Sequence, residues 1–131
     1  MAEKTLQCSV ITPEAQVFEG AVEAVVLPAH DGEIGILFNR APLLCKLGAG
    51  SLRVRSDVGE ESWFIDGGFA QVIDNQVTVL TKKAVPSEDI TLADAQARLA
   101  EALEMPAVDE ISAHRKAQAV AGARAQLRMA R

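Results

Sequence analysis

Three residues in this chain are of the types that form a hydrolytic centre. Cys45 could act as a nucleophile, His30 as its general base and Asp31 as the group that orients the base. Such a centre requires the thiol, the imidazole and the carboxylate to meet in one pocket. Here Cys45 stands in a leucine-rich run typical of a strand, while His30 and Asp31 begin a turn signal at Asp31-Gly32. The local pattern therefore favours a solvated turn over a catalytic triad.

The residues required by other common chemistries are missing from the sequence. Two cysteines and two histidines occur without the paired spacing of a metal site. Neither a Walker A loop nor a G-x-G-x-x-G turn is present. One tryptophan and four phenylalanines do not provide a stacking platform for bases. The sequence therefore predicts a non-enzymatic protein without a metal or cofactor.

Charge is unevenly distributed along the chain. The formal net charge is −5, which disfavours binding to nucleic acid through a basic surface. Residues 1–106 contain 8 Lys and Arg against 16 Asp and Glu, whereas residues 107–131 contain 5 against 2. An acidic body with a basic tail indicates two interaction roles in one chain.

The sequence carries no signal for export or membrane insertion. The N-terminal region lacks the apolar segment of a secretory signal, and no apolar run approaches the roughly 18 residues of a spanning helix. Cys8 and Cys45 are predicted to be free thiols in a reducing compartment, with Cys8 buried in a strand. These features predict a cytoplasmic protein, which can still attach to a partner in the membrane.

Residues 5–85 show the period-two pattern of β-strands. Three sets of apolar residues alternate with their neighbours: Leu6, Cys8 and Val10; Val22, Ala24 and Val26; and Leu52 and Val54. Asp74-Asn75 suits a tight hairpin because both residue types tolerate positive φ. Gly67-Gly68 is predicted to mark a bend where a side chain would obstruct the backbone. Together with frequent turn signals, the pattern predicts an antiparallel β-sandwich or barrel.

The pattern changes to helical after Pro86. Thr91 with Asp94 resembles a capping box, and Asp109 is the expected N-cap of a second helix. The predicted apolar positions are Leu92, Ala95, Leu99, Ala102 and Leu103 in the first helix and Ala113, Ala117, Val120, Ala123 and Leu127 in the second. Pro106 ends the first helix, so the two form an αα-hairpin whose alanine-rich seam docks weakly. The predicted domains are a sandwich at 1–86 and a hairpin at 87–131.

Several motifs together resemble one protein family. Thr12-Pro13-Glu14, Gly32-Glu33-Ile34-Gly35-Ile36, Ala41-Pro42-Leu43 and Gly67-Gly68-Phe69 occur in the order seen in the epsilon-subunit family of bacterial and chloroplast F-type ATP synthases. The resemblance covers Leu6 to about Val85, and the tail matches in length and layout. It implies an N-terminal antiparallel β-sandwich of about ten strands and a C-terminal α-helical hairpin. The implied role is a non-catalytic rotor component that couples proton translocation to ATP synthesis.

The resemblance also implies partners and the residues that meet them. The gamma subunit would bind one face of the sandwich, and a turn at Gly32–Leu44 would approach the c-ring of Fo. The residues assigned to this c-ring and gamma interface are Asp31, Gly32, Glu33, Ile34, Gly35, Arg40, Ala41, Pro42 and Leu43. When extended, the hairpin would contact the catalytic alpha and beta subunits through Arg98, Arg115, Arg124, Arg128 and Arg131 and inhibit ATP hydrolysis. The complex would hold the chain as a peripheral protein at the cytoplasmic face of the inner membrane.

Two positions depart from the family pattern. Arg40 stands where the family usually has a histidine, and an arginine does not titrate near neutral pH. The motif Ile/Leu-Asp-x-x-Arg-Ala of ATP-binding members is not kept within Ile90–Ala97, so no nucleotide site is carried over. The rival interpretation is a free cytosolic β-sandwich adaptor with a helical interaction arm, and the Cys45 hydrolase is the weakest alternative.

Overall fold

The structure, a computed structural model, describes residues 4–130. Its eight strands are β1 (Leu6–Ile11), β2 (Gln16–Val22), β3 (Ala24–Ala29), β4 (Gly32–Leu37), β5 (Leu43–Ser56), β6 (Gly59–Ile73), β7 (Gln76–Leu80) and β8 (Ala84–Pro86). A short 3-10 helix, Ser87–Asp89, leads to α1 (Leu92–Leu103) and α2 (Glu110–Met129). The predicted class, a β-sandwich followed by an α-helical hairpin, is confirmed.

The strands form one hydrogen-bonded sheet in the order β2-β1-β7-β6-β5-β3-β4, with β8 paired to β6. Six of the seven strand pairings among the described residues are antiparallel, and the seventh pairs β1 with β7 in parallel. The two longest strands, β5 and β6, have 14 and 15 residues. Because of this length, β5 and β6 both run through the two parts of the sheet and connect them.

A bend in β5 and β6 divides the sheet into two layers. Before the bend β6 pairs with β8 over Trp63–Ile65, and after it β6 pairs with β7 over Phe69–Ile73. Between these segments Gly67 and Gly68 have φ values of 82° and 116°. β5 and β6 each contribute one segment to one layer and a second segment to the other. The eight strands therefore provide ten strand segments, which compares with the expected number of about ten strands.

One aromatic contact shows that the layers face each other. The ring centroids of Phe18 in β2 and Trp63 in β6 lie 5.4 Å apart. In a flat sheet of this order the two strands would be three strand spacings apart, roughly 14 Å. The bend therefore folds the sheet onto itself around a common core.

The core confirms most of the predicted alternation. Leu6, Cys8 and Val10 are fully buried, and burial raises the pKa of the Cys8 thiol to about 12. In the set Val22, Ala24 and Val26 only Val22 is buried, and the buried side chains of β3 include Val25 and Leu27 in place of Ala24 and Val26. The phase changes because Glu23 separates β2 from β3, and each strand then presents its own inward face.

Both predicted turn features of the sandwich are present. Asp74 and Asn75 adopt φ values of 50° and 61° in the two-residue turn between β6 and β7. Gly68 approaches the backbone of β7 so closely that an added Cβ would overlap the carbonyl oxygen of Leu80. No other residue type fits at Gly68 without displacing that strand.

The caps of the hairpin differ in completeness. The Thr91 hydroxyl accepts a hydrogen bond from the Asp94 N–H at 3.1 Å, but the reciprocal bond expected of a capping box is not formed. Asp109 forms a complete box with Ser112, whose N–H donates to the Asp109 carboxylate at 2.7 Å. Hydrogen bonds from Ser112 lower the pKa of the Asp109 carboxyl.

The predicted apolar stripe of α2 is only partly correct. Ala113 and Ala117 are exposed, whereas Gly122, Ala123, Ala125 and Gln126 are buried. In α1, Ala95 and Ala102 are buried as expected, while Leu92 and Leu103 remain about half exposed. The difference arises because the C-terminal half of α2 packs on the sandwich as well as on α1, which the periodicity of an isolated hairpin does not predict.

The hairpin packs on the sandwich through a small apolar cluster, called here the hairpin cluster. Phe64, Ile90 and Ala125 form this cluster, with Val85 and Met129 packed against it, and it is separate from the core between the two layers. The core of the sandwich contains no residue of α1 or α2. The residues of this core therefore all come from the strands of the sandwich.

We expect the close backbone approach at Gly68 to make this residue indispensable. Gly68→Ala should destabilise the protein by at least about 2 kcal/mol, because it adds strain at positive φ and a steric overlap. Gly35→Ala is the matched control, since nothing lies within 4 Å of its added Cβ, and should change stability by about 0.5 kcal/mol or less. Urea denaturation of both variants decides the matter, and equal midpoints would contradict the account.

The separate core also predicts that residues 1–86 fold without the hairpin. Trp63 lies in the core and reports its unfolding by fluorescence. The truncated chain should show one cooperative urea transition at a lower midpoint than the full chain, because Phe64 loses its cover. A gradual, non-cooperative change would show that the hairpin completes the core.

Candidate interaction surfaces

The segment predicted to be a single turn at Gly32–Leu44 is a strand with a turn at each end. A turn at His30 and Asp31 joins β3 to β4, and a second turn around Asn39 leads to β5. β4 lies between them and spans about 17 Å at roughly 3.3 Å per residue. Apart from Ile34 and Gly35 within β4, the predicted interface residues therefore fall into two groups at the opposite ends of this strand.

Most of these nine residues are accessible to a partner. Those exposed are Asp31, Gly32, Glu33, Gly35, Arg40, Ala41 and Pro42. Ile34 and Leu43 are half-buried and pack against the core between the layers. Their side chains therefore fix the exposed residues beside them and offer little surface to a partner. Within residues 4–130, β4 hydrogen-bonds to β3 alone and forms one edge of the sheet.

The first group lies where β3 turns into β4. Glu33 forms an ion pair with Arg53 of β5 at 3.5 Å, and both side chains are well exposed. Pairs of this kind contribute little to stability because water and salt screen them. The carboxylate of Glu33 thus remains available as a charge at the rim of a contact.

The second group lies between β4 and β5. The Arg40 N–H donates to the Leu37 carbonyl at 3.1 Å and closes a turn in which Asn39 has φ 65°. The Asn39 N–H donates to the Oδ1 of Asn75 at 2.6 Å, so this turn is tied to the β6–β7 hairpin. Arg40 projects a fixed positive charge from this end of the sandwich.

Sequence reasoning missed an exposed apolar surface on one outer side of the sandwich. This apolar face consists of Ile11, Leu44, Phe69 and Leu80, where Phe69 pairs with Leu80 and Leu80 with Ile11 across adjacent strands. Leu44, Phe69 and Leu80 are 72%, 54% and 52% exposed. A shallow cavity of about 430 Å³ beside Ile11, Phe69 and Leu80 is lined largely by apolar atoms.

A signal for the apolar face was present in the sequence. Ala70 and Val72 point into the core, so the alternation of β6 requires Phe69 to point outward. A phenylalanine at an outward position of a strand is better explained by a partner than by solvent. Large apolar residues at the outward-facing positions of a predicted strand are therefore the sequence signal of such a face.

The opposite outer side is covered by α2. Gly122 brings the helix close to Phe64, whose ring lies 3.6 Å from an added Cβ on that glycine. Ala125 packs on the same ring within the hairpin cluster. The two outer sides of the sandwich thus differ, one being covered by the hairpin and the other presenting the apolar face.

The arginines predicted to act in the hairpin are distributed around it. Arg98, Arg115, Arg124 and Arg128 are exposed, and Arg131 lies outside the described residues. Arg98 lines a cleft of about 330 Å³ between hairpin and sandwich, together with Asp66, Lys83, Glu101 and Gln126. None of these arginines forms an ion pair in the part of the chain that the structure describes.

The structure brings the three residues of the hydrolase alternative near one another without activating them. The His30 N–H donates to the Lys46 carbonyl at 3.2 Å, which places His30 beside the strand of Cys45. Burial raises the pKa of the Cys45 thiol, and the charge of Asp31 raises it further. Both effects oppose the thiolate that a nucleophile needs. Among residues 4–130 no hydrogen bond joins these side chains.

Across the described range, 4–130, no three His, Cys, Asp or Glu side chains are grouped so that they could hold a metal ion. Neither α1 nor α2 combines the length and the apolar character that a membrane-crossing helix needs.

Comparison with known proteins identifies the family. The model for "ATP synthase, Delta/Epsilon chain, beta-sandwich domain" matches residues 5–87. An ATP synthase epsilon chain of Rhodopirellula baltica is 43% identical over 127 residues, which cover 97% of this chain and 99% of the relative. Another from a Synechococcus species is 45% identical over 98 residues, covering 75% and 72% of the two chains.

A solved structure shares the fold. It is a chain in the cryo-EM structure of Euglena gracilis mitochondrial ATP synthase, OSCP/F1/c-ring in rotational state 1. The TM-score is 0.83 at 24% identity, over 95% of this chain and 81% of that chain. The match over the sandwich and the identity along nearly the whole length confirm the resemblance drawn from the motifs: the chain belongs to the family of ATP synthase epsilon chains, which are non-catalytic subunits.

Proposed function

We propose that this chain is a rotor component in the central stalk of an F1Fo ATP synthase, coupling proton translocation through the c-ring to ATP synthesis. Membership of the epsilon-chain family supports this role. The observation that carries the proposal is the apolar face, because it provides a site of attachment on the side that the hairpin leaves open. The complex holds the chain at the cytoplasmic face of the inner membrane as a peripheral subunit.

The gamma subunit binds the apolar face. Leu44, Phe69 and Leu80 expose large apolar side chains on adjacent strands, and burying them against a partner removes that surface from water. Lys46 pairs with Phe69 across β5 and β6 and adds a charge at the margin of the patch. An apolar centre with a charged rim is the usual composition of a stable protein interface.

The two ends of β4 make the polar contacts of the rotor. Asp31, Gly32 and Glu33 form one contact area, and Arg40 with Ala41 and Pro42 forms the other. Because about 17 Å separates the ends of the strand, the two areas meet different parts of the c-ring and gamma. Charges at such rims orient an interface more than they strengthen it.

The hairpin acts as a brake on ATP hydrolysis. In the described structure it is docked on the sandwich through a cluster with few buried residues, in which Ala125 packs with Phe64 and Gly122 lies beside Phe64. Such a contact permits a second state within a few kcal/mol, in which the hairpin extends and its arginines reach the alpha and beta subunits. No nucleotide takes part in this switch, because the aspartate and arginine of the ATP motif are not kept.

Attachment to gamma should fail when the apolar face is made polar. The double variant Phe69→Gln and Leu80→Gln should lower the amount of chain that co-purifies with gamma by at least about ten-fold. Both positions are about half exposed, so the fold should remain stable. Val58→Gln is the control, since Val58 is 91% exposed on a turn remote from the face. Equal recovery of the double variant and the control would contradict this attachment.

The brake predicts a specific response to charge reversal in α2. Arg124→Glu with Arg128→Glu should raise ATP hydrolysis by the whole complex, most of all at low salt, where screening is weakest. Replacement by glutamine should give a smaller increase. The loss of favourable charge near the end of α2 costs about 0.3–1 kcal/mol per site in any case. Unchanged hydrolysis by complexes that retain the variant chain would show that these arginines only stabilise α2 and do not act in the brake.

A further inference from the structure

Two turns that are distant in sequence are joined at one end of the sandwich. Asn39, between β4 and β5, and Asn75, between β6 and β7, are 36 residues apart and meet through side chain and backbone. The Asn39 N–H donates to the Oδ1 of Asn75 at 2.6 Å, and the Nδ2 of Asn75 lies 3.5 Å from the Oδ1 of Asn39. Both residues have positive φ, at 65° and 61°.

Asn75 is itself fixed from the other side. Its carbonyl accepts a hydrogen bond from the Gln7 N–H at 2.9 Å, which ties the β6–β7 turn to β1. The same residue therefore receives one bond from β1 through its backbone and one from Asn39 through its side chain. The turn that carries Arg40, Ala41 and Pro42 has no regular strand pairing of its own until β5 begins at Leu43.

We infer that Asn75 is a positioning residue that holds the Arg40–Pro42 turn in place, and that Asp74 and Asn75 belong to the same contact surface as Arg40. The inference rests on the proposed function, which assigns this turn to the rotor contacts. Arg40 and Asp74 present charges of opposite sign on neighbouring turns, and no ion pair joins them among the described residues. Such a surface is complementary to a polar protein loop more than to an apolar helix.

The roles of the two asparagines can be separated by substitution. Asn75→Gly removes the side-chain acceptor but preserves the hairpin, because Asp-Gly is a preferred pair for this turn. Asn75→Asp keeps an oxygen that can accept from Asn39. Asn39→Gly keeps the backbone N–H and tolerates positive φ, so it retains the shorter of the two contacts. The positioning role predicts a strong effect for Asn75→Gly alone among the three.

The first test measures the contact in the isolated full chain. Amide hydrogen exchange at Asn39 should be roughly three- to ten-fold faster in Asn75→Gly than in the wild type, as expected for the loss of one hydrogen bond. In Asn75→Asp the rate should stay near the wild-type value. An unchanged rate in Asn75→Gly would overturn the inference.

The second test measures coupling in membrane vesicles that carry the assembled complex. ATP-driven proton pumping per ATP hydrolysed should fall about two-fold or more in Arg40→Ala and in Asn75→Gly, and remain near wild type in Asn39→Gly and Asn75→Asp. Reduced pumping in Arg40→Ala with normal pumping in Asn75→Gly would overturn the positioning role and leave the proposed function intact. Absence of the wild-type chain from the purified complex would contradict the proposed function instead, and the exchange rate measured in the isolated chain would still decide whether Asn75 holds the turn.

Discussion

The approach of Gly68 to the Leu80 carbonyl is the contact on which the rest of the structure depends. At this point β6 leaves one layer and joins the other, and a side chain would force β7 away. The bend folds one sheet into two layers, which buries a common core and produces two outer sides. One side receives α2 and the other presents the apolar face, so the division between a covered and an open surface follows from the bend.

Much of this architecture is encoded locally, and the sequence predicts that part well. Leu6, Cys8 and Val10 alternate without interruption, and Asp74-Asn75 and Gly67-Gly68 have backbone preferences that identify their conformations. The errors arise where long-range packing decides. Periodicity does not show that Glu23 separates two strands with different inward phases, or that Gly122 and Ala125 of α2 pack on the sandwich.

The candidate surfaces were predicted less completely than the fold. The motifs identify the chain segment from Asp31 to Leu43, but only the structure shows that β4 separates it into two contact areas. The apolar face joins Ile11, Leu44, Phe69 and Leu80 from four strands, and no contiguous motif contains them. A partner surface assembled from the outward phase of several strands becomes visible only when their register is known.

The central claim is that the apolar face is the site of attachment within the complex, and hydroxyl-radical footprinting of its side chains tests it most directly. In the isolated chain Leu44, Phe69 and Leu80 should all be labelled, since each is more than half exposed. In the assembled complex their labelling should fall at least about five-fold, while Val58 on its remote turn should be labelled equally in both. Undiminished labelling of Phe69 and Leu80 in the complex would contradict the account.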